Sequence, residues 1–399
     1  MVGAGPAGLR ALRRLRERAG AAVEVVLIAP GRRVSFLAGA LDVALGLSNP
    51  EEVSAPLALE GVDVRDASAV RVSASGVHVA SAASAPPADR AAPPADRAAP
   101  PADRAAPPAD GAELIAAEAV IAAPGLALRD PGRLPDWSRA VWAWDPRGAE
   151  AFAHLLAGAG PEEPGELLIA AAGLPYRCPP APFALAIRLA ERRRSRGLPA
   201  QVTVAVPEPV PLAGVGATAT QLVLDACAHA GVSVQAGFLP DLEASADGVL
   251  LAADGRSIQY AAALMIPPHE RPACLQGLPG EGPMVAVGED GSVEGSSLFV
   301  VGDAAATGMP RAAGIGEGNA VIAADSVLAR LGVAPVPARE PVSASCFMFH
   351  TGGLASRIRV SYPPGSRSQP EVAIDGPSAE LVAEREGERE RFLASAAAP

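Results

Sequence analysis

Arg177-Cys178-Pro179-Pro180, followed by Ala181-Pro182-Phe183 and an arginine-rich amphipathic run, puts a thiol at the mouth of a helix. Proline is tolerated in a first helical turn, where its missing N–H would have no intrahelical partner, so the run predicts a helix from about Pro182. Cys178 then precedes the positive end of a helix dipole and stands beside the Arg177 guanidinium. Both effects favour thiolate over thiol, the setting of a nucleophile. The competing reading is a small buried apolar cysteine. The other cysteines are Cys227, Cys274 and Cys346. Four are too few for a disulfide framework in a chain this long, and no pair has Cys-x-x-Cys spacing, so neither a local redox dithiol nor a metal centre is read; a pair remote in sequence stays open. Cys227 shares the apolar side of a helix with Val223 and Leu224 and reads as core. Cys274 reads as a bystander, and His269 as a loop hydrogen-bonder more than a base.

A second constellation opens the chain. Val2-Gly3-Ala4-Gly5-Pro6-Ala7-Gly8 is a Gly-x-Gly-x-x-Gly run, followed by a helical period from Leu9 and the buried strand Val23 to Ile28. In such a βαβ unit the first glycine makes the turn, the second lets the backbone approach a pyrophosphate, and the third lets helix pack on strand. The end of the second strand, where an acidic residue usually meets the adenosine ribose, is Ala29-Pro30, so that hydrogen bond must come from elsewhere. The first strand is clipped to Met1-Val2, so the true start is expected upstream, and an export signal could have been lost with it.

A third constellation is Ser297 to Ala304, a hydrophobic strand ending in Gly302-Asp303, and then Met309-Pro310-Arg311 before a helix to about Leu331. A carboxylate directly after a buried strand can accept from a polyhydroxyl chain, while the next helix points its positive end at an anion-prone ring. The plainer alternative is a helix-capping Asp303.

These groups need elements to hold them. At 399 residues the chain exceeds one compact core and suits two or three domains. Aromatics are only 4% of residues against 49% hydrophobic, so the apolar content is mostly small, and no run reaches the length of a spanning helix. As written the protein reads as cytoplasmic, with export or peripheral membrane association left open by the clipped start. The net charge of −11, with every basic residue an arginine, makes nucleic acid an improbable partner.

The proline-rich repeat at 85–111 cannot build a core and reads as a polyproline-like or disordered insertion in a surface hairpin between Gly76 to Val79 and Ala112 to Ile115. Ala119 to Leu126 is a buried strand ending in the turn Ala123-Pro124-Gly125. Strands at Glu166 to Gly173 and Gln201 to Val206 flank the Cys178 helix as a second βαβ unit, but its turn lacks the glycines of a phosphate cradle. A helix from Thr218 to Ala230, a β-meander from Asp247 to Ile266 and a charged helix from Ser378 to Ser395 follow. The expected fold is α/β with two Rossmann-like dinucleotide-binding domains: 1–140 as the first part of an FAD domain, 141–266 as a degenerate NAD-like domain, 267–335 as the second part of the FAD domain, and 336–399 as a C-terminal interface segment.

Together these runs resemble the flavoprotein disulfide-reductase superfamily. Within it they are most similar to the sulfide dehydrogenase group, the flavoprotein subunit of flavocytochrome c and the sulfide:quinone oxidoreductases. The resemblance rests on Tyr176 to Phe183, Met265-Ile266-Pro267-Pro268, Val301 to Ala304 with Met309-Pro310-Arg311, and Ser345-Cys346-Phe347. It implies that Cys178 and Cys346 form a redox-active disulfide over the flavin, with Arg177 assisting. It also implies that Asp303 binds the ribityl chain, with Gly3, Gly5, Pro6, Ala7, Gly8, Ala29, Pro30, Ala123, Pro124, Gly125, Gly302, Met309, Pro310 and Arg311 around the cofactor. No cysteine precedes Cys178, so FAD is expected to be non-covalent. The implied substrate is a small sulfur compound, and the implied acceptor a c-type cytochrome or a quinone. An NAD(P)H-dependent flavin disulfide reductase and a flavin-binding module with little turnover remain the alternatives.

Overall fold

The computed structural model describes residues 1–81, 112–158 and 165–397. After Val2 the chain forms α1 (Pro6–Ala19), β1 (Val26–Ile28), α2 (Ala40–Ala44), β2 (Asp63–Arg65), β3 (Ala67–Ser73), β4 (Gly76–Ser81), β5 (Glu113–Ala116), β6 (Val120–Ala122) and β7 (Ala140–Trp142). Then come α3 (Pro146–Gly158), β8 (Leu167–Ala171), α4 (Ala181–Ser195), β9 (Val202–Val206), α5 (Ala217–His229), β10 (Val232–Ala236), β11 (Val249–Leu251), β12 (Ser257–Gln259) and β13 (Ala262–Ile266). The last third holds β14 (Leu298–Val300), α6 (Ala313–Arg330), β15 (Val342–His350), β16 (Leu354–Tyr362), β17 (Glu371–Ser378) and α7 (Glu380–Ala394).

Two parallel sheets carry the architecture. In the first, β1 pairs with β2, β6 pairs with β14, and Val2 bridges Ile28 and Ala122, all in parallel. The second runs β7-β13-β8-β9-β10. Every residue of β8, β9 and β13 is buried: α3, α4 and α5 cover the face of Leu167 and Ile169, and Phe238 with Leu250 and Ile258 of the β11–β12 hairpin covers the face of Leu168 and Ala170. This is the expected α/β class with parallel, Rossmann-like sheets. The expected meander is narrower than its span: β11 and β12 pair antiparallel, whereas β13 leaves them for the parallel sheet, where its five apolar residues are buried. The strand expected from Val23 is ordered as β only from Val26.

β4 and β5 pair antiparallel with Val79 opposite Glu113, as the surface-hairpin reading required. The proline-rich insertion at 85–111 lies outside the described residues. A third, antiparallel sheet, β15-β16-β17, is packed against α4 and α6. Small residues allow that approach: a β-carbon on Gly314 of α6 would stand 2.7 Å from the Ser343 carbonyl oxygen, and one on Gly318 2.8 Å from Val342. Cys227 is fully buried on α5, as expected of a core cysteine, and Cys274 is buried too.

Candidate functional site

The glycine turn divides by function. Gly3 has φ +90°, and a β-carbon there would meet the Ala123 carbonyl oxygen at 2.3 Å; one on Gly8 would meet the Gly3 carbonyl oxygen at 2.0 Å. Those two glycines let the backbone pack on itself. Gly5, at φ −71°, faces open space, with nothing within 4 Å of its would-be side chain. It is the N-cap of α1, Pro6 begins the helix, and no side chain caps the first N–H groups. The turn therefore presents uncapped donors and a helix dipole to an open cradle, which suits the pyrophosphate of a dinucleotide. Gly302 (φ +73°) meets this turn, its would-be β-carbon 3.2 Å from Ala7, and Gly316 of α6 packs onto Gly302 in turn.

Asp303 lies in the short turn that follows β14 and caps no α-helix. It accepts no hydrogen bond from the described residues. Burial pushes its carboxyl above the usual range, while the charges of Arg177 and Arg311 hold it down. A half-buried carboxylate without a donor among the described residues, at the carboxyl end of a parallel strand, fits a hydroxyl-bearing ligand. Ala29 is buried at the end of β1, and Ala123, Pro124 and Gly125 follow β6 beside the glycine turn. Met309 is buried and Pro310 half-buried. The donors of the open turn and the carboxylate after β14 are the chemistry that a dinucleotide cofactor such as FAD requires.

Cys178 ends the loop between β8 and α4 in a left-handed conformation, φ +55°, that side-chain-bearing residues seldom adopt. Its N–H donates to the Arg311 carbonyl at 3.0 Å, and its own carbonyl accepts from Ala181 at 2.9 Å. The Ala181 N–H at the start of α4 also lowers the pKa of the thiol, so the helix end does act on the sulfur. Arg177 lowers it as well. Neither prevails: burial pushes the Cys178 thiol up to about 11, with Asp303 adding to the rise. The expectation that the thiolate is favoured here is therefore corrected. Both favourable effects exist, but desolvation of a charged sulfur in an apolar surround is larger.

Arg177 is anchored through Nη2 to the Trp144 carbonyl at 2.9 Å, and Trp144 Nε1 returns a bond of 2.9 Å to the Arg177 carbonyl. Its N–H donates to His269 Nε2 at 3.4 Å, while His269 Nδ1 donates to the Pro267 carbonyl at 3.0 Å. The ring is thereby fixed as the neutral Nδ1–H tautomer. Burial, helped by Arg177, lowers its pKa to about 4. His269 is a buried hydrogen-bonder that shapes the Arg177 backbone, as its sequence context suggested.

Cys346 is on β15, opposite Ile358 of β16, and half-buried. Burial raises its thiol pKa far above the ordinary range, and the nearby charges of Cys178 and Glu388 raise it further. The two cysteines, 168 positions apart by their numbers, thus share one electrostatic neighbourhood; both are free thiols in this structure. Sequence reasoning missed Trp144, the carbonyl anchor of Arg177. Its only signal was a tryptophan just before a helix, which does not distinguish an anchor from a core residue. Among the described residues no His, Cys, Asp and Glu group is arranged to hold a metal, and no helix is long and apolar enough to cross a membrane.

No protein-family model matches the chain, and no curated protein matches it in sequence. Solved structures do match its shape. The sulfide:quinone oxidoreductase of the hyperthermophilic bacterium Aquifex aeolicus aligns with a TM-score of 0.77 at 18% identity, over 99% of this chain and 90% of that one. A chain of the Tetrahymena thermophila mitochondrial ATP synthase F1Fo composite aligns at 0.70 and 11% identity, over 99% and 94%. The reduced CoADR-RHD of Bacillus anthracis aligns at 0.58 and 13% identity, over 97% and 73%. The chain therefore shares the Rossmann-type α/β fold of these structures, the fold class that its motifs led one to expect.

Proposed function

We propose that this protein is an FAD-dependent oxidoreductase that oxidises sulfide through Cys178 and Cys346. The reading is supported by two cysteines remote in sequence that share one electrostatic neighbourhood on packed elements: Cys178, bonded to the Arg311 carbonyl before α4, whose first N–H acts on its sulfur, and Cys346 on β15, which packs against α4. FAD, when bound, would supply a two-electron acceptor next to these thiols.

The oxidised form in this proposal carries a Cys178–Cys346 disulfide. Hydrosulfide attacks the Cys346 sulfur; a new S–S bond forms there as the disulfide breaks, and the bonding pair leaves on Cys178 as thiolate. The Ala181 N–H, Arg177 and Arg385 are the groups that favour this anion. A second hydrosulfide then attacks the outer sulfur of the Cys346 persulfide; hydrogen disulfide leaves and Cys346 is left as thiolate, and FAD, when bound, would accept the two electrons released as the Cys178 and Cys346 thiolates re-form their disulfide. Neutral His269 takes no proton in this sequence; it holds the Arg177 backbone in place. The name of the Aquifex relative supports a quinone as the final acceptor; no observation favours the c-type cytochrome.

The test is optical. Purified protein is expected to be yellow, to bleach with sulfide, to resist NADH, and to recover colour with a soluble quinone; Cys178→Ser is expected to retain flavin and lose the sulfide response. Bleaching by NADH and not by sulfide would overturn the proposal. The turn before α4, filled by Tyr176 to Pro180 where a nucleotide cradle needs glycine, argues against that outcome. A second reading, a flavin-binding assembly module with little turnover, is favoured by the ATP synthase likeness. It predicts bleaching by neither donor.

A further inference from the structure

A buried ion cluster joins three segments that are far apart in sequence. Asp42 of α2 is 5% exposed and Arg385 of α7 3%. Arg188 Nη1 of α4 reaches Asp42 Oδ1 at 2.6 Å, and Arg385 Nη1 reaches Oδ2 at 2.6 Å. Arg385 Nη2 also donates to the Ala38 carbonyl at 2.8 Å. Both guanidinium groups lie over the ring of Phe349, Arg188 at 4.5 Å and Arg385 at 5.9 Å.

The cluster's placement relates it to the thiols. Arg188 belongs to the helix that starts three residues after Cys178, and Phe349 belongs to the same strand as Cys346, three residues on. Through Asp42 the N-terminal segment grips the helix that follows one cysteine. Through Arg385 and Phe349 it grips the strand that carries the other. A carboxylate taking one bond on each oxygen, from two rigid planar cations, fixes their separation more tightly than packing alone.

We infer that Asp42 is a positioning residue: its paired bonds to Arg188 and Arg385 hold the Cys346 strand in register with Cys178 and so set the equilibrium of the disulfide between them. This rests on the proposed thiol pair and deepens it. The chain supplies its own control in a second buried cluster, Asp325 with Arg14 and Arg18, which joins α1 to α6 at 2.8 and 2.9 Å through ion pairs that involve no residue of α4 or β15.

The experiment equilibrates the purified full-length protein in glutathione redox buffers and quantifies the Cys178–Cys346 disulfide by thiol trapping and mass spectrometry. Asp42→Asn is expected to lower the equilibrium constant at least tenfold, about 30 mV for a two-electron couple. Asp325→Asn is expected to lower the unfolding midpoint and leave that constant unchanged. Phe349→Leu, which removes the shared ring without altering charge, serves where Asp42→Asn does not fold and is expected to shift the constant in the same direction. A wild-type protein that forms the bond, with Asp42→Asn or Phe349→Leu matching it, overturns the inference alone. A wild-type protein that never forms the bond overturns the thiol pair and the inference together.

Discussion

The Cys178 N–H donates to the Arg311 carbonyl at 3.0 Å, so the loop that presents the thiol is tied to the segment that follows Asp303. That bond helps hold Cys178 at φ +55°. A left-handed residue costs about 1–2 kcal/mol when it carries a β-carbon, so the conformation persists only because its surroundings impose it.

That strain gives a first prediction. Cys178→Gly and Cys178→Ala both lack the thiol and differ by one β-carbon at a left-handed position. The glycine variant is expected to be more stable in urea by about 1 kcal/mol. Equal stabilities would mean that the loop does not hold this conformation in solution.

Burial sets a second expectation, for reactivity. With the Cys178 thiol pushed up to about 11 from an ordinary value of 9.0, its thiolate fraction at neutral pH is expected to be about a hundredfold below that of a free cysteine. Site-resolved alkylation of the reduced protein should accelerate with pH toward about 11, and Arg177→Gln should slow it further. A midpoint below 9 would show that the helix end and Arg177 outweigh desolvation.

Much of this arrangement was legible in the sequence because it rests on local rules. The proline-started helix after Cys178, the glycine turn and the strand before Asp303 each follow from backbone sterics and periodicity: the helix starts at Ala181, one residue from expectation, whereas the strand is shorter than its apolar run, Leu298–Val300, with Asp303 in the turn beyond it. The sign of the Cys178 shift was not legible. Arg177 and Ala181, next to it in sequence, supply the larger favourable effects, whereas the desolvation comes from the packed surround that α4 and the third sheet complete. For the same reason Asp42 gave no signal: it became a candidate only when Arg188 and Arg385 arrived from 146 and 343 positions away.

His269 makes stability depend on acid. Its pKa falls from 6.5 to about 4 on folding, so between those values the unfolded chain binds a proton that the folded chain refuses. Stability is full above about pH 6.5 and declines as pH falls toward 4, by a contribution of about 2–3 kcal/mol. Denaturant midpoints from pH 7 to pH 4 should show this decline, and His269→Gln should flatten it. An unchanged slope in the variant would assign the acid sensitivity to other groups.

The glycine turn provides the sharpest separation of folding from binding. An added β-carbon at Gly8 would press on the Gly3 carbonyl oxygen at 2.0 Å, so Gly8→Ala is expected to destabilise by about 1–3 kcal/mol or to prevent folding. Gly5 is free of such contacts and has a φ that any residue adopts, so Gly5→Val should leave the apoprotein's unfolding midpoint unchanged. Its side chain would instead project into the cradle above the first N–H groups of α1. FAD affinity, followed by quenching of flavin fluorescence, should fall at least tenfold, about 1.4 kcal/mol. Asp303→Ala should weaken FAD as well, by loss of the carboxylate that no donor among the described residues satisfies. If Gly5→Val binds FAD as tightly as wild type while Asp303→Ala does not, the diphosphate does not rest on this turn, and the cofactor site must be redrawn around β14 and α6.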